Sequence, residues 1–138
     1  MNDDKPKRAR GKGCLVSSLL AGVLLVYAIW DLRGPIRRSE AVHELITVGK
    51  NLEYVENVMK EKAARHYIFY EIATNGTWRR NVKRDEFVQT FKGQADGAAP
   101  KTRVKLMFMG TAPGRAWFFV DFDKTGGVAA VSTLDGGD

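Results

Sequence analysis

The chain is poor in the residues that build inorganic centres: one cysteine and two histidines stand in 138 positions. A lone thiol excludes an internal disulfide framework and any multi-cysteine zinc or iron–sulfur site. Two imidazoles are too few for a His-rich metal centre, and no cofactor is expected. Domains run to roughly 100–200 residues, so the length leaves room for one. No internal repeat is present. Nor is this a disordered polyelectrolyte, because 44% of residues are hydrophobic against 28% charged, enough to bury a core.

Basic residues outnumber acidic ones by 22 to 16. Five of the cations (Lys5, Lys7, Arg8, Arg10 and Lys12) precede the first apolar stretch, so the excess concerns topology before it concerns nucleic acid. Leu15 to Trp30 carries no charge, and the segment from Cys14 to Leu32 is 19 residues long. At ~1.5 Å per residue it nearly covers the ~30 Å hydrocarbon layer of a bilayer. Tyr27 and Trp30 stand where aromatic rings prefer the headgroup level, and Arg33, Arg37 and Arg38 follow. Five cations before the span against three after it predict a cytoplasmic N-terminus and a single-pass membrane protein. The alternative is a signal peptide cleaved after Ala28. Cys14 precedes the apolar run, which excludes a lipoprotein box. Ser18 and Gly22, four apart, would let the helix of a membrane partner approach closely.

The rest of the chain predicts an α+β fold, in which an amphipathic helix packs on a largely antiparallel sheet of about five strands. The expected layout is a basic cytoplasmic tail (1–13), a transmembrane helix (14–32), a juxtamembrane linker (33–38), an extracytoplasmic domain (39–134) and a frayed tail (135–138). Gly34-Pro35 is expected to break the first helix and Ser39 to cap the next. From Val42 to Met59 apolar residues recur at three and four, as one helix or as two divided near Gly49, with Asn51 available as a second cap. His43 reads as a surface imidazole. Tyr67–Ile72 and Thr77–Val82 flank Asn75-Gly76, a hairpin signal, and counting back from it pairs Glu71 with Arg80 and Phe69 with Val82. Asp85 is expected to cap a short helix bearing Phe87, Val88 and Phe91, closed by Gly93. Three further strands are predicted at 103–109, 115–122 and 128–134. The middle one has aromatics at both parities and is expected to be covered on both faces.

Phe118 to Thr125 copies the opening motif of haloacid-dehalogenase phosphatases, a hydrophobic strand ending in Asp121-x-Asp123-x-Thr125. That chemistry needs Mg2+ and further Asp and Lys residues downstream, and only thirteen residues remain. The same stretch starts like a calcium loop but has Ser132 where the bidentate glutamate belongs. No Ser/His/Asp or Cys/His nucleophile is assembled, so no enzyme is predicted. Arg79, Lys83 and Arg84 form the candidate contact for anionic membrane lipid or an acidic partner, with Arg80 neutralised by Glu71. The predicted topology turns this face from the cytoplasm, which argues against nucleic acid. Asn75-Gly76-Thr77 also matches a glycosylation sequon.

Two stretches resemble the cytochrome oxidase assembly factor family, whose domain shares its fold with a subunit of the mitochondrial presequence translocase. Arg10-Gly-Lys-Gly-Cys14 and the span resemble its bacterial leads, and Arg38-Ser-Glu-Ala-Val42 through Asn51 and Val55 to Met59 resembles its opening helix. Val104-x-Leu-x-Phe108, Gly110-x-x-x-Gly114-x-Ala116, Val120 and Lys124-x-x-Gly127 resemble its strand, turn and strand. The family's Gly-x-Pro and final-strand Trp are missing here, and residues 78–92 form an extra basic insertion. The resemblance implies a non-enzymatic assembly role beside a membrane complex, possessing no catalytic residue. The rival expectation is an extracytoplasmic domain that binds lipid or a small solute in a cleft between helix and sheet.

Overall fold

In a bilayer an apolar run satisfies its backbone as a helix, and α1 (Lys12–Leu45) begins with that run. A computed structural model describes residues 12–62, 65–110 and 114–137; the basic lead before Lys12 lies outside them. From Val16 to Leu32 the large apolar side chains of α1 are exposed. This helix is long and apolar enough to cross a membrane.

It does not break at Gly34-Pro35. Proline removes an N–H and presses its ring toward the carbonyl four residues back, which normally ends a helix. Here the sheet accommodates both. Pro35 is buried, and a Cβ on Gly110 would lie 3.1 Å from the Asp31 carbonyl oxygen and 3.2 Å from Pro35 Cγ. Glycine at 110 therefore lets the turn after the third strand seat against the helix where proline disturbs it. Ser39 is inside α1 instead of capping a new helix, and its hydroxyl donates to the Ile36 carbonyl (2.7 Å). The expected linker at 33–38 is therefore helix, and α1 continues as the core helix of the domain.

Past the membrane-like stretch, Pro35, Ser39, Val42 and Ile46 form one buried stripe at helical spacing. Gly49, at φ +87°, ends this section, and α2 (Leu52–Lys62) starts with the Asn51 side chain accepting from the Tyr54 N–H (2.8 Å). There are thus two helices, with Asn51 as the second cap.

The sheet is antiparallel, ordered β2-β1-β3-β4-β5, with β6 also pairing β4. Its strands are β1 (His66–Thr74), β2 (Thr77–Arg79), β3 (Thr102–Met109), β4 (Arg115–Phe122), β5 (Val128–Val131) and β6 (Asp135–Gly137). Asn75 and Gly76 both have positive φ, the hairpin geometry their sequence predicts. Ile72 pairs with Arg79, which is the expected register, but β2 stops there. Asn81 takes a positive φ (57°) and the Val82 N–H donates to the Tyr70 carbonyl (3.0 Å), one residue out of step, so the expected strand to Val82 and its pairing with Phe69 do not form. Between β2 and β3, α3 (Arg84–Lys92) starts without a side-chain cap, with Asp85 in its first turn instead of at the cap position.

The C-terminal segment is not frayed. After β5 the Ser132 hydroxyl accepts from the Phe119 N–H (2.9 Å), and residues 135–137 then pair with 115–117. One edge of β4 is thus covered by two short strands, which satisfies backbone groups that would otherwise face solvent. His43 is half-buried, not a free surface imidazole. Its Nε2 donates to the Ser132 carbonyl (2.8 Å), and its ring meets Phe118 edge-on.

Ala116, Phe118, Val120 and Phe122 of β4 are buried against α1, α2 and α3, together with Val104, Leu106 and Phe108 of β3. Phe119 has the opposite parity and is only half-buried. Phe118→Ala or Phe122→Ala should therefore destabilise the fold by about 3–5 kcal/mol, from lost burial plus a cavity. Phe119→Ala should cost clearly less in the same denaturant titration.

Candidate interaction surface

Alternation along a strand sends every second side chain away from the helices. In β3 those are Arg103, Lys105, Met107 and Met109; in β4 they are Arg115, Trp117, Phe119 and Asp121. The register sets Arg103 between Glu71 and Asp121, Lys105 between Phe69 and Phe119, and Met107 between Tyr67 and Trp117. No described helix covers this face, which corrects the expectation that β4 is sheathed on both sides. Its aromatics are instead half-covered by cations. The Arg103 guanidinium lies 3.9 Å from the Trp78 ring centre and 4.2 Å from that of Phe119, and Lys105 Nζ lies 4.7 Å from that of Trp117. Each such contact is attractive because a ring face carries partial negative charge.

Glu71 is 1% exposed and organises this arrangement. Arg103 Nε donates to its Oε2 (2.7 Å), while Arg80 Nε stands 3.8 Å from Oε1 on a side chain that is 74% exposed. The expected cross-strand partner is thus the weaker one. Asp121 completes the row. Its partial burial pushes the carboxyl above the usual range, with Arg103 opposing that rise. Asp123 does something different. Its Oδ1 accepts from the Thr125 hydroxyl (2.6 Å), the Thr125 N–H (2.8 Å) and the Gly127 N–H (3.0 Å), so it shapes the β4–β5 turn. Bonding to Thr125 outweighs the small desolvation and lowers its carboxyl. The two aspartates of the phosphatase-like motif thus serve an open sheet face and a tight turn.

The three basic residues singled out in the sequence are not three free cations. Arg84 is committed to Glu56 of α2, with Nε to Oε1 at 2.6 Å and Nη2 to Oε2 at 3.0 Å, and the Tyr70 hydroxyl donates to the same Oε1 (2.5 Å). Arg79 pairs with Glu86 of α3. Lys83 is exposed just before α3. All three lie at the end of the sheet remote from the span. Arg79 pairs with Ile72, which faces Thr102, the first residue of β3, whereas Gly110, just beyond its last, lies against Asp31. Seven residues of strand separate those ends, about 23 Å at ~3.3 Å each. That exceeds the ~8–10 Å screening length at physiological salt, so with the apolar stretch of α1 in a bilayer the cluster would stand beyond the reach of lipid charge. Ser18 and Gly22 lie on the exposed apolar part of α1.

Nothing in the local sequence pointed to Glu56 as the partner of Arg84, since 28 positions separate them. Arg103 and Lys105 were legible as the polar parity of a strand, but the aromatic rings beneath them come from β2 and β4. No family model, curated protein or solved structure matches the chain. The surface therefore rests on its own geometry. Half-exposed Trp, Tyr, Phe, Met and Arg side chains on one face are the composition enriched in protein–protein interfaces.

Arg84 should consequently behave as a structural residue. Desolvation alone would raise the Glu56 carboxyl, but hydrogen bonds from Arg84 and Tyr70 outweigh it and hold the group below its ordinary 4.5. A carboxyl lowered in the folded state adds stability that is full above the unfolded value and lost as pH falls through the folded one. Arg84→Ser should thus lower stability at pH 7 by about 1–2 kcal/mol, the effect of leaving a buried acceptor unpaired. Lys83→Ser should leave it unchanged. Wild-type and Arg84→Ser denaturation midpoints should converge as pH falls below 4.5.

Proposed function

We propose that this chain is a single-pass, membrane-anchored, non-enzymatic module that docks on and assists assembly of a membrane complex. The observation carrying this reading is that one helix, α1, holds both a stretch long and apolar enough to cross a membrane and a stretch buried in the core of the domain. A domain on a loose tether would sample many orientations. One whose core contains the anchor presents its sheet at a set height and angle, as a docking role on a membrane complex needs. The open face of β3 and β4 supplies aromatic and basic anchors for a protein partner, and Ser18 and Gly22 supply a close-approach stripe for a partner helix. The flanking charges favour a cytoplasmic N-terminus and an extracytoplasmic domain, and the family resemblance suggests a bacterial inner membrane.

A respiratory oxidase is the partner that the family resemblance suggests. One glycine of that resemblance has a physical role in this chain: a Cβ at Gly110 would lie 3.1 Å from the Asp31 carbonyl oxygen and 3.2 Å from Pro35 Cγ. Glycine there lets the end of β3 rest on α1 just past its apolar stretch. The rival reading as a solute receptor gains no such observation. Between α1 and the sheet the described residues form packed core.

A reporter fused after Asp138 should be active only outside the cytoplasm; cytoplasmic activity would reverse the orientation. In co-purification, the full-length chain should retain its membrane complex, and Lys105→Ser with Trp117→Ala should release it while lowering Tm less than Phe118→Ala does. Undiminished capture by that double variant would remove the open face from the interface.

A further inference from the structure

Five arginines stand at the end of the sheet nearest the apolar stretch of α1. Arg38 Nη2 donates to the Met109 carbonyl (3.0 Å), the Met109 N–H donates to the Arg65 carbonyl (3.0 Å), and Arg115 is the cross-strand partner of Met109. Arg37 and Arg33 lie on the same stretch of α1. Arg33, Arg37, Arg65 and Arg115 are exposed, and among the described residues none of the five forms an ion pair. Glu40 and Glu44 lie further along α1, away from the span.

The height of this group follows from contacts. Gly110 and Gly114 rest on the carbonyls of Asp31 and Leu32, immediately after the uncharged run ends at Trp30. With the span in a bilayer, the arginines stand at headgroup depth. A hollow of about 250 Å³ opens there, lined by Trp30, Asp31, Gly34, Arg37 and Arg38. Asp31 supplies negative charge on one wall. Arg38 is incompletely satisfied: a guanidinium carries five N–H donors, the Met109 carbonyl is its one acceptor among the described residues, and its buried Nε has no partner. Paired guanidinium forks match the oxygens of a phosphate, and an indole beside them suits the interface.

We propose that this arginine collar, centred on the Arg37–Arg38 hollow, binds the phosphate headgroup of an anionic phospholipid. The proposal rests on the reading of α1 as a membrane span. It gives the lipid contact a different address from the Arg79–Arg84 cluster, which stands at the opposite end of the sheet. A bound headgroup would supply counter-charge to arginines that form no ion pair among the described residues and would fix the domain's tilt on the membrane.

The full-length chain, extracted in a neutral detergent and supplied with equal phosphatidylglycerol and phosphatidylcholine, should retain phosphatidylglycerol selectively in native mass spectrometry. Arg37→Gln with Arg38→Gln should reduce that retention roughly thirtyfold, the combined effect of two cations lost at an anionic surface. Lys83→Ser at the far end should leave it unchanged. If Arg38→Gln impairs folding, the exposed pair Arg33→Gln and Arg37→Gln carries the test, with the same direction expected. Equal retention of both lipids, or selectivity unaltered in the arginine variants, would overturn the proposal. Loss of the lipid to millimolar inorganic phosphate would overturn it too, by showing a site for free phosphate. Resistance of the chain to alkaline extraction from membranes tests the span separately, so failure of the anchor and failure of the lipid site give different results.

Discussion

The arrangement of the whole domain depends on α1 passing through Pro35 without a break. A proline in a helix interior costs roughly 3 kcal/mol when nothing compensates for it. Here the ring is buried, and the turn at Gly110 closes over the place where the helix loses a hydrogen bond. Four buried positions from Pro35 to Ile46 then carry the helix along the sheet. The apolar stretch and the core helix are consequently one continuous helix, and with that stretch in a bilayer the direction of the strands would follow from it. A glycine hinge at the membrane surface would have uncoupled the two.

The sheet divides the chemistry by parity. Phe118 and Phe122 face the helices and fill the core with Phe87 and Phe108. Trp117 and Phe119, one residue out of step, face away and carry Arg103 and Lys105 on their rings. This second face stays open because the helices that follow or precede the strands all pack on the first. Cation–π stacking half-covers its aromatics without a second layer, leaving an amphipathic surface of the composition that protein interfaces favour.

Charge is distributed along the same axis. At the far end of the sheet, cations are spent on carboxylates: Arg84 on Glu56, Arg79 on Glu86, Arg103 on Glu71. At the near end stand five arginines that form no ion pair among the described residues. The contrast explains why the cluster that is densest in the sequence is the less available one. Density along a chain does not measure free charge; neutralisation depends on what the fold brings opposite.

What the sequence determined by itself is what local pattern encodes. The uncharged run specified a helix fit to cross a bilayer, Asn75-Gly76 the hairpin and its register, period-two alternation the buried parity of β3 and β4, and Asn51 the start of α2. Each of these is set by neighbours within a few positions, through backbone geometry and side-chain periodicity. Tertiary structure decided the rest. It kept α1 continuous where proline alone predicts a stop, drew residues 135–137 into the sheet, left one face of β4 open, and chose partners for Arg84 and Arg103 from 28 and 32 positions away. Those outcomes depend on which surfaces meet, and burial and charge pairing act through space, so no local window of sequence contains them.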